Sequence, residues 1–179
     1  MDLTEKTLSR REIYDGRIVH LHVDEVELPD GSRSVREVID HCPCVAVVAL
    51  DEQDRVLTVT QYRHAFGREL LEIPAGKLEP GEDPFESAKR ELSEECGLSA
   101  DNYIDLGVVY PTVGYDSEKI YLWAATGLHK GGQHLDAGEF LDVVRMPFEE
   151  ALQKVLSGEI KDSKTQIGLM KYALLRGKA

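Results

Sequence analysis

Three glutamates lie close together on a stretch of the chain that is predicted to be helical. Glu91 and Glu95 are one helical turn apart, and Glu94 lies beside them. Like charges at this spacing repel each other by roughly a few tenths of a kcal/mol per pair, so the cluster does not serve helix stability. Carboxylate oxygens suit Mg²⁺ or Mn²⁺, hard cations that keep several waters and bridge substrate phosphates. We therefore expect a divalent metal site rather than a solvated acidic helix face, which is the usual meaning of a charge run.

The helix that carries these glutamates has start and stop signals in the sequence. Asp83 is an N-cap residue, Pro84 follows at the first helical position, and Glu86 completes the cap. Gly97 can adopt the left-handed conformation that ends a helix, so we expect the helix to run to about Cys96. Its apolar residues recur at intervals of three and four and share one face. They are Phe85, Ala88, Leu92 and Cys96.

A loop rich in Pro and Gly, residues 73–82, precedes this helix and can aim a peptide carbonyl at an ion. Loop and helix together fit the pattern G-x5-E-x7-R-E-U-x-E-E-x-G-U, in which U is aliphatic. The residues that fill it are Gly76, Glu82, Arg90, Glu91, Leu92, Glu94, Glu95, Gly97 and Leu98. This pattern is the Nudix box, and the chain resembles the Nudix hydrolases.

The resemblance implies roles for residues in and beside the box. In similar Nudix hydrolases the metal is bound by the carbonyl at the position of Ala75 and by the carboxylates at Glu91 and Glu95, and Glu94 often joins them. Arg90 would take part in the catalytic site as the cation that pairs with these carboxylates and holds them in place.

The remaining pattern predicts an α/β protein. Residues 17–28 and 33–40 alternate around a Pro-Asp-Gly turn, which indicates a β-hairpin. Further strands are predicted near residues 45–50, 56–62, 103–110, 118–126 and 140–146. With the helices, this order resembles the α/β/α sandwich of the Nudix fold, built on a mixed sheet. We expect an N-terminal β extension over residues 1–41, which forms a dimer, and a Nudix hydrolase domain over residues 42–179.

Two helices are predicted near the C-terminus. The first runs from Phe148 to Leu156, and the run Ser163–Gln166 is predicted to cap the second. Their apolar sets are Leu152, Val155 and Leu156, which should point inward, and Ile167, Met170 and Leu174, which share one face.

Outside the box the chain resembles the bacterial ADP-ribose pyrophosphatase branch of the family. The segments that carry this resemblance are residues 26–31, 61–63, 71–76 and 162–165. In that branch a homodimer exchanges its N-terminal strands, and the substrate lies partly under the partner's hairpin. Arg36, Arg63 and Glu72 match substrate-binding positions, and Tyr14 lies where an aromatic residue stacks on adenine. The alternatives stay open, because an exposed Arg is usually solvated and a Tyr before a strand usually packs.

Two segments depart from the pattern of that branch. Val113 stands where relatives often have Pro, and the acidic loop reads Asp136-Ala137-Gly138-Glu139 instead of Asp-Glu-x-Glu. The first glutamate of that loop, a general-base candidate in some relatives, is therefore missing. Glu139 is our first candidate for the base or for an extra metal ligand, and Glu94 is the second.

Together these features predict magnesium-dependent hydrolysis of the pyrophosphate bond of a nucleoside diphosphate sugar. The preferred substrate is expected to be ADP-ribose, giving AMP and ribose 5-phosphate. The alternatives are another nucleotide sugar, such as a GDP-sugar, or a non-catalytic Nudix domain that senses ADP-ribose.

Composition and charge narrow the possible partners. The formal net charge of −12 argues against non-specific nucleic-acid binding, which needs a basic patch, but bound metals would still admit a small anionic substrate. No stretch approaches the roughly twenty apolar residues of a membrane span, and we expect no membrane partner and a cytoplasmic location. A zinc site from His20, His22 and residues 41–44 would need an unusual Cys-x-Cys spacing, so we expect ordinary strand residues there.

Overall fold

The computed structural model describes residues 2–135 and 137–177. Their contacts form two compact units, and each is described by itself. One unit comprises the N-terminal residues through Cys42 together with Tyr110–Lys119, and the other comprises Pro43–Val109 together with the chain from Ile120 onward.

The N-terminal unit is built on a three-stranded antiparallel sheet in the order β1-β2-β3. Its strands are β1 (Lys6–Asp15), β2 (His20–Glu27) and β3 (Arg33–Asp40). The predicted hairpin, formed by β2 and β3, is confirmed. Strand β1 is absent from the sequence-based prediction because all ten of its residues are exposed, so it has no alternation of buried and exposed positions. The sequence suggested that Tyr14 lies before a strand, but it lies within β1.

Residues 110–119 are bonded to the end of β3. The backbone N–H of Ile39 donates to Tyr115 O at 2.7 Å, and the N–H of Ser117 donates to Ile39 O at 3.0 Å. The backbone N–H of His41 also donates to Ser117 Oγ at 2.9 Å. A segment seventy residues further along the chain therefore extends this unit.

The larger unit contains a mixed sheet with the main order β10-β5-β4-β9-β8, while β6 pairs with β5 and β7 with β4. Its strands are β4 (Cys44–Leu50), β5 (Arg55–Arg63), β6 (Arg68–Glu72), β7 (Ala75–Lys77), β8 (Leu98–Val109), β9 (Ile120–Lys130) and β10 (Leu141–Pro147). Strands β4 and β9 are parallel and the other pairs are antiparallel. The loop predicted at 73–82 thus contains a short strand, β7, and β8 begins five residues earlier than predicted, directly after Gly97.

In the described part of the chain, three α-helices cover the two faces of this sheet: α1 (Pro84–Cys96), α2 (Phe148–Leu156) and α3 (Ser163–Arg176). The continuous apolar run of β4 serves both faces. Val45, Val47 and Ala49 pack in the core that contains Ala88 and Leu92 of α1. Ala46, Val48 and Leu50 pack in the core that contains residues of α2 and α3, such as Ala151 and Leu169. The predicted α/β/α sandwich is confirmed.

The ends of α1 are those that the sequence predicted. The Asp83 carboxylate accepts the N–H of Phe85 at 2.9 Å and that of Glu86 at 3.3 Å. Gly97 ends the helix with φ of 64°, in the left-handed region. Local capping chemistry therefore fixes the helix whose side chains the site requires.

The predictions for the two C-terminal helices were wrong in their cap and in their buried faces. Asp162, not Ser163, caps α3: its carboxylate accepts the Thr165 N–H at 3.0 Å. Leu156 was expected to point inward but is 75 % exposed in the last turn of α2. On α3 the fully buried large side chain is Leu169, whereas Met170 and Leu174 are exposed.

Gly168 lies on the buried face of α3, packed against the sheet. A Cβ at Gly168 would lie 3.0 Å from Val48 Cγ2 and 3.2 Å from Ile73 Cδ1, which leaves little room for a side chain. Apolar residues occur around most of α3, and their pattern alone does not identify this face. None of the helices in the described residues has the length and the apolar character that crossing a membrane requires.

Candidate functional site

Two glutamates of α1 are buried next to the strand that precedes the helix. Glu91 is 8 % exposed and Glu95 is 3 % exposed. The backbone N–H of Ala75 donates to Glu95 Oε2 at 2.9 Å, so the carboxylate is bonded to the strand residue whose carbonyl is a predicted metal ligand. Burying a charged carboxylate is costly unless cations or hydrogen bonds compensate it.

The pKa values of both groups reflect this cost. Burial raises the pKa of Glu91 to about 7, although the Arg90 charge opposes the rise. Burial likewise raises the pKa of Glu95 to about 8, against the hydrogen bond from Ala75, and the charge of Glu139 adds to the effect. The two carboxylates are therefore poised to accept a positive charge, which a divalent cation supplies.

Arg90 connects the acids of the box. Its Nη1 donates to Glu91 Oε1 at 2.8 Å and to Glu94 Oε2 at 2.7 Å. Its Nε and Nη2 donate to the two oxygens of Glu82 at 2.8 and 2.9 Å, and Nη2 also donates to Lys77 O at 3.0 Å. The Arg90 guanidinium lowers the pKa of Glu82 to about 2. A single cation thus ties the loop before α1 to the carboxylates on it.

Gly76 allows the loop to approach the helix. A Cβ built at this position would overlap the carboxylate of Glu91. Without a side chain, the backbone of β7 lies directly against that carboxylate, with Gly76 paired to Val45 of β4. The resulting cluster offers oxygen donors from Glu91, Glu95 and the adjacent backbone, a set that fits a hard divalent cation.

Glu139 interacts with these carboxylates through its charge, which contributes to the raised pKa values of both Glu91 and Glu95. The Gln61 side-chain amide on β5 lies 3.4 Å from Glu139 Oε1. Asp136, the other acid of this loop, lies outside the described residues.

Glu72 forms a second charged network in this unit. Its side chain is 3 % exposed, and it accepts Arg63 Nε at 2.6 Å and Nη2 at 2.7 Å. Lys164 Nζ also donates to Glu72, and to Asp162 Oδ1 at 3.0 Å. Burial would raise the pKa of Glu72, but the Arg63 hydrogen bonds and the Lys164 charge hold it below its ordinary value.

Lys164 is the functional candidate that sequence reasoning missed. The run 162–165 was recognised only as a mark of resemblance, without a role for its lysine. Lys164 lies in the first turn of α3, and its charge also reaches Glu95, where it opposes the rise in pKa. A lysine directly after a capping residue was the available signal, but pairing with Glu72 across ninety-two residues of sequence was not predictable from it.

Two other predicted site residues belong to the N-terminal unit. Arg36 on β3 donates from Nε to Glu5 Oε2 at 2.9 Å and from Nη1 to Ser34 Oγ at 3.0 Å. Tyr14 is 60 % exposed on β1. Their predicted contacts with the substrate stay predictions.

A helix with buried carboxylates lies against a short strand that contains a glycine, and both belong to an α/β/α sandwich. This arrangement defines a metal-dependent hydrolase of the Nudix type. The family model described as "NUDIX domain" matches residues 40–165, and the model described as "Nucleoside diphosphate sugar hydrolase N-terminal domain" matches residues 5–39. The chain belongs to the Nudix family, as the box predicted.

Several named proteins are similar to this chain. The chain is 42% identical over 167 residues to "Methanol dehydrogenase activator" of Bacillus methanolicus, covering 92% of this chain and 90% of that protein. It is 38% identical over 165 residues to "ADP-ribose pyrophosphatase" of Bacillus subtilis, covering 91% and 89%. A solved structure titled "Crystal structure of ADP compounds hydrolase" matches with a TM-score of 0.88 at 23% identity, over 100% of this chain and 98% of that one. At this identity the structural match supports the fold alone.

Proposed function

We propose that the protein hydrolyses the pyrophosphate bond of a nucleoside diphosphate sugar, with ADP-ribose as the preferred substrate and AMP and ribose 5-phosphate as products. The observation that carries the proposal is the buried pair Glu91 and Glu95, held against Ala75 and Gly76 with raised pKa values. The relative named ADP-ribose pyrophosphatase, 38% identical over most of both chains, supports the choice of substrate.

Mg²⁺, with Mn²⁺ as a substitute, is the proposed cofactor. Glu91, Glu94, Glu95 and the carbonyl of Ala75 would hold it. When bound, the metal neutralises phosphate charge and lowers the pKa of a coordinated water. The protein's own part is to keep the carboxylates converged, and the bonds of Arg90 to Glu91 and Glu94 do this.

A carboxylate must take the proton of the attacking water, and Glu139 is our candidate. Its charge contributes to the raised pKa values of Glu91 and Glu95, and it is borne by the connection between β9 and β10, outside the helix that would hold the metal. A base on a loop can approach the water when the substrate binds. Glu94 is the second candidate, although its bond to Arg90 favours a supporting role.

Arg63 and Glu72 are proposed to contact the substrate in the same unit. Glu72 fixes two nitrogens of the Arg63 guanidinium, while the arginine side chain is still 41% exposed. A guanidinium held in this way is suited to a phosphate or ribose oxygen, because little side-chain entropy is lost on binding. Arg36 and Tyr14 are proposed as further contacts, through the resemblance to the ADP-ribose pyrophosphatase branch.

We also propose a homodimer formed through the N-terminal sheet. Strand β1 is an edge strand of ten exposed residues, and Leu8, Ile13 and Tyr14 on it are each more than one third exposed. Long edges with apolar side chains favour pairing with another chain. Light scattering at micromolar concentration should give about twice the 20.0 kDa mass of one chain. A fully active monomer would contradict the expectation that the substrate lies partly under the partner's hairpin. The cytoplasmic location stays a prediction.

A substrate panel tests the proposal. ADP-ribose, GDP-sugars, dinucleotides and nucleoside triphosphates are incubated with the enzyme, with Mg²⁺ or with a chelator, and products are separated by chromatography. ADP-ribose should give the highest kcat/KM, with AMP as product and no turnover in chelator. A GDP-sugar preference would favour the alternative suggested by the 29% identical "GDP-mannose pyrophosphatase" of Pectobacterium atrosepticum. Binding of ADP-ribose without hydrolysis would favour a sensor.

The Glu139→Gln variant separates the proposed roles of that carboxylate. As a proton acceptor, Glu139 contributes to kcat, so the variant should lose at least about tenfold in kcat with little change in KM. A metal-ligand role should instead raise the Mg²⁺ concentration for half-maximal rate. An unchanged rate and metal requirement would return the base role to Glu94.

A further inference from the structure

The chain that follows β9 closes over the C-terminal end of α1. The N–H of Gly131 donates to Gly97 O at 2.7 Å, and the N–H of His134 donates to Glu94 O at 3.0 Å. The Gln133 side-chain Nε2 donates to Glu95 O at 2.6 Å. We call residues 131–134 the capping segment.

These bonds satisfy carbonyls that a helix end leaves without partners. Glu94 and Glu95 both lie in the last turn of α1, where no later helical N–H can reach their carbonyls. Glu94 and Glu95 therefore have two roles. Their carboxylates belong to the proposed metal site, and their backbone carbonyls accept hydrogen bonds from the capping segment. Gln133 provides the one side-chain bond in this set of three.

Gly97 makes this approach possible. Its φ of 64° ends the helix, and a Cβ built on it would lie 2.8 Å from the backbone N of Gln133. That distance is too short for a side chain facing fixed backbone. The final glycine of the box is thus required both by its backbone conformation and by the position of the capping segment.

The capping segment leads directly to the proposed base. Glu139 lies six residues after Gln133, and strand β10 begins two residues later at Leu141, paired with Gln61. The far end of the connection is therefore fixed by the sheet, while its near end leaves the sheet at Lys130, opposite Leu98, and is held against α1 by the capping segment. How far Glu139 reaches toward Glu91 and Glu95 depends on both attachments.

We propose that Gln133 is a positioning residue for hydrolysis: together with the backbone bonds of Gly131 and His134, its amide bond to the Glu95 carbonyl holds the start of the chain segment that carries Glu139, the proposed base. The inference rests on the proposed function and on Glu139 as the base. Because Gln133 acts through Glu139, its loss should lower kcat and leave substrate KM and the Mg²⁺ requirement nearly unchanged.

Three substitutions separate this role from simple packing. Gln133→Met keeps the length of the side chain and removes the donor, so kcat on ADP-ribose should fall about tenfold. Gln133→Lys restores a donor that reaches a helix C-terminal carbonyl and should recover most of the rate. The control is Gln153→Met, because Gln153 donates to Glu149 Oε1 at 3.1 Å on the exposed surface of α2. It should behave as the wild type.

A double-mutant cycle tests whether the effect passes through Glu139. In the Glu139→Gln background, adding Gln133→Met should change kcat by less than about twofold. Hydrogen exchange should also be faster in peptides covering the connection in Gln133→Met, with the exchange of β4 unchanged. If Gln133→Met does not fold, Gln133→Asn, whose amide is one methylene shorter, takes its place in each comparison.

The outcomes distinguish the inference from the proposed function. If the wild type hydrolyses no nucleotide sugar, the proposed function fails. If the wild type is active and Gln133→Met retains kcat within about twofold, the positioning role is wrong while the function stands. The inference would also be overturned if Gln133→Met lowered kcat equally in the wild type and in the Glu139→Gln background, or if Gln133→Lys did not recover kcat.

Discussion

The raised pKa of Glu95 predicts that the metal-free protein loses stability as the pH rises, and that Glu95→Gln prevents the loss. Glu95 is 3 % exposed, and its folded-state pKa is about 8 against an ordinary value of 4.5. Between these values the native state keeps a proton that the unfolded state releases. The stability is therefore fully present below about pH 4.5 and is lost as the pH rises toward 8.

The size of the effect follows from proton linkage. At about 1.4 kcal/mol per pKa unit, the free energy of unfolding should fall by roughly 3 kcal/mol between pH 5 and pH 8 through Glu95 alone. Glu91, with a pKa of about 7, acts in the same direction. In Glu95→Gln the new side chain has no proton to lose and can still accept the N–H of Ala75 through its amide oxygen. The variant should therefore be more stable than the wild type at pH 8, by about 3 kcal/mol, and similar at pH 5.

Urea unfolding at fixed protein concentration, in a chelator, measures this difference. Trp123 is the single tryptophan of the chain, and its ring packs at a tilt with its centroid 5.0 Å from that of the Phe85 ring of α1, so its fluorescence reports on the unit that holds the proposed site. The control is Glu86→Gln, on the exposed side of the same helix, which should change the unfolding free energy by less than about 0.5 kcal/mol at either pH. Added Mg²⁺ should stabilise the wild type and have little effect on Glu95→Gln.

Equal pH slopes for the wild type and Glu95→Gln would refute the reasoning. The result would mean that water reaches this carboxylate in the metal-free protein and that its burial carries no energetic cost. Normal turnover by the same folded variant would separately remove Glu95 from the metal site.

Two further predictions follow from close packing and from buried charge. Gly76→Ala should lower kcat at least about a hundredfold because its Cβ would displace the Glu91 carboxylate, whereas Gly177→Ala, with ordinary contacts at a helix end, should be neutral in the same assay. Lys164→Met should reduce the free energy of unfolding by about 3 kcal/mol, measured in urea, because it leaves Glu72 buried with one cation fewer; a loss below about 1 kcal/mol would mean that Arg63 alone suffices.

The parts of the fold that were predictable are those determined by local chemistry. The limits of α1 follow from Asp83 and Gly97, whose capping roles depend on neighbours within a few residues. Strand β4 was predictable because a strand buried on both faces is continuously apolar. The proximity of Glu91, Glu94 and Glu95 was predictable for a similar reason, since these three residues share one helix.

The parts that were not predictable depend on distant contacts or on exposure. The buried face of α3 includes Gly168, which packs against Val48 of β4, and no local pattern identifies this face. Strand β1 is wholly exposed and lacks the alternation that marks a strand. The bond from Gln133 to Glu95 joins residues thirty-eight positions apart, and a glutamine in a polar loop gives no sign of such a partner.

The bonds between β3 and residues 110–119 have a consequence for how this protein can be cut or recombined. A hybrid that takes its first forty-two residues from one relative and the remainder from another would join the end of β3 to a 110–119 segment from a different protein, and the hydroxyl of Ser117 that accepts the His41 N–H would depend on that second source. The two stretches form one unit although nearly seventy residues separate them in the chain. A chimera that takes both stretches from the same relative keeps the native partners of these bonds together.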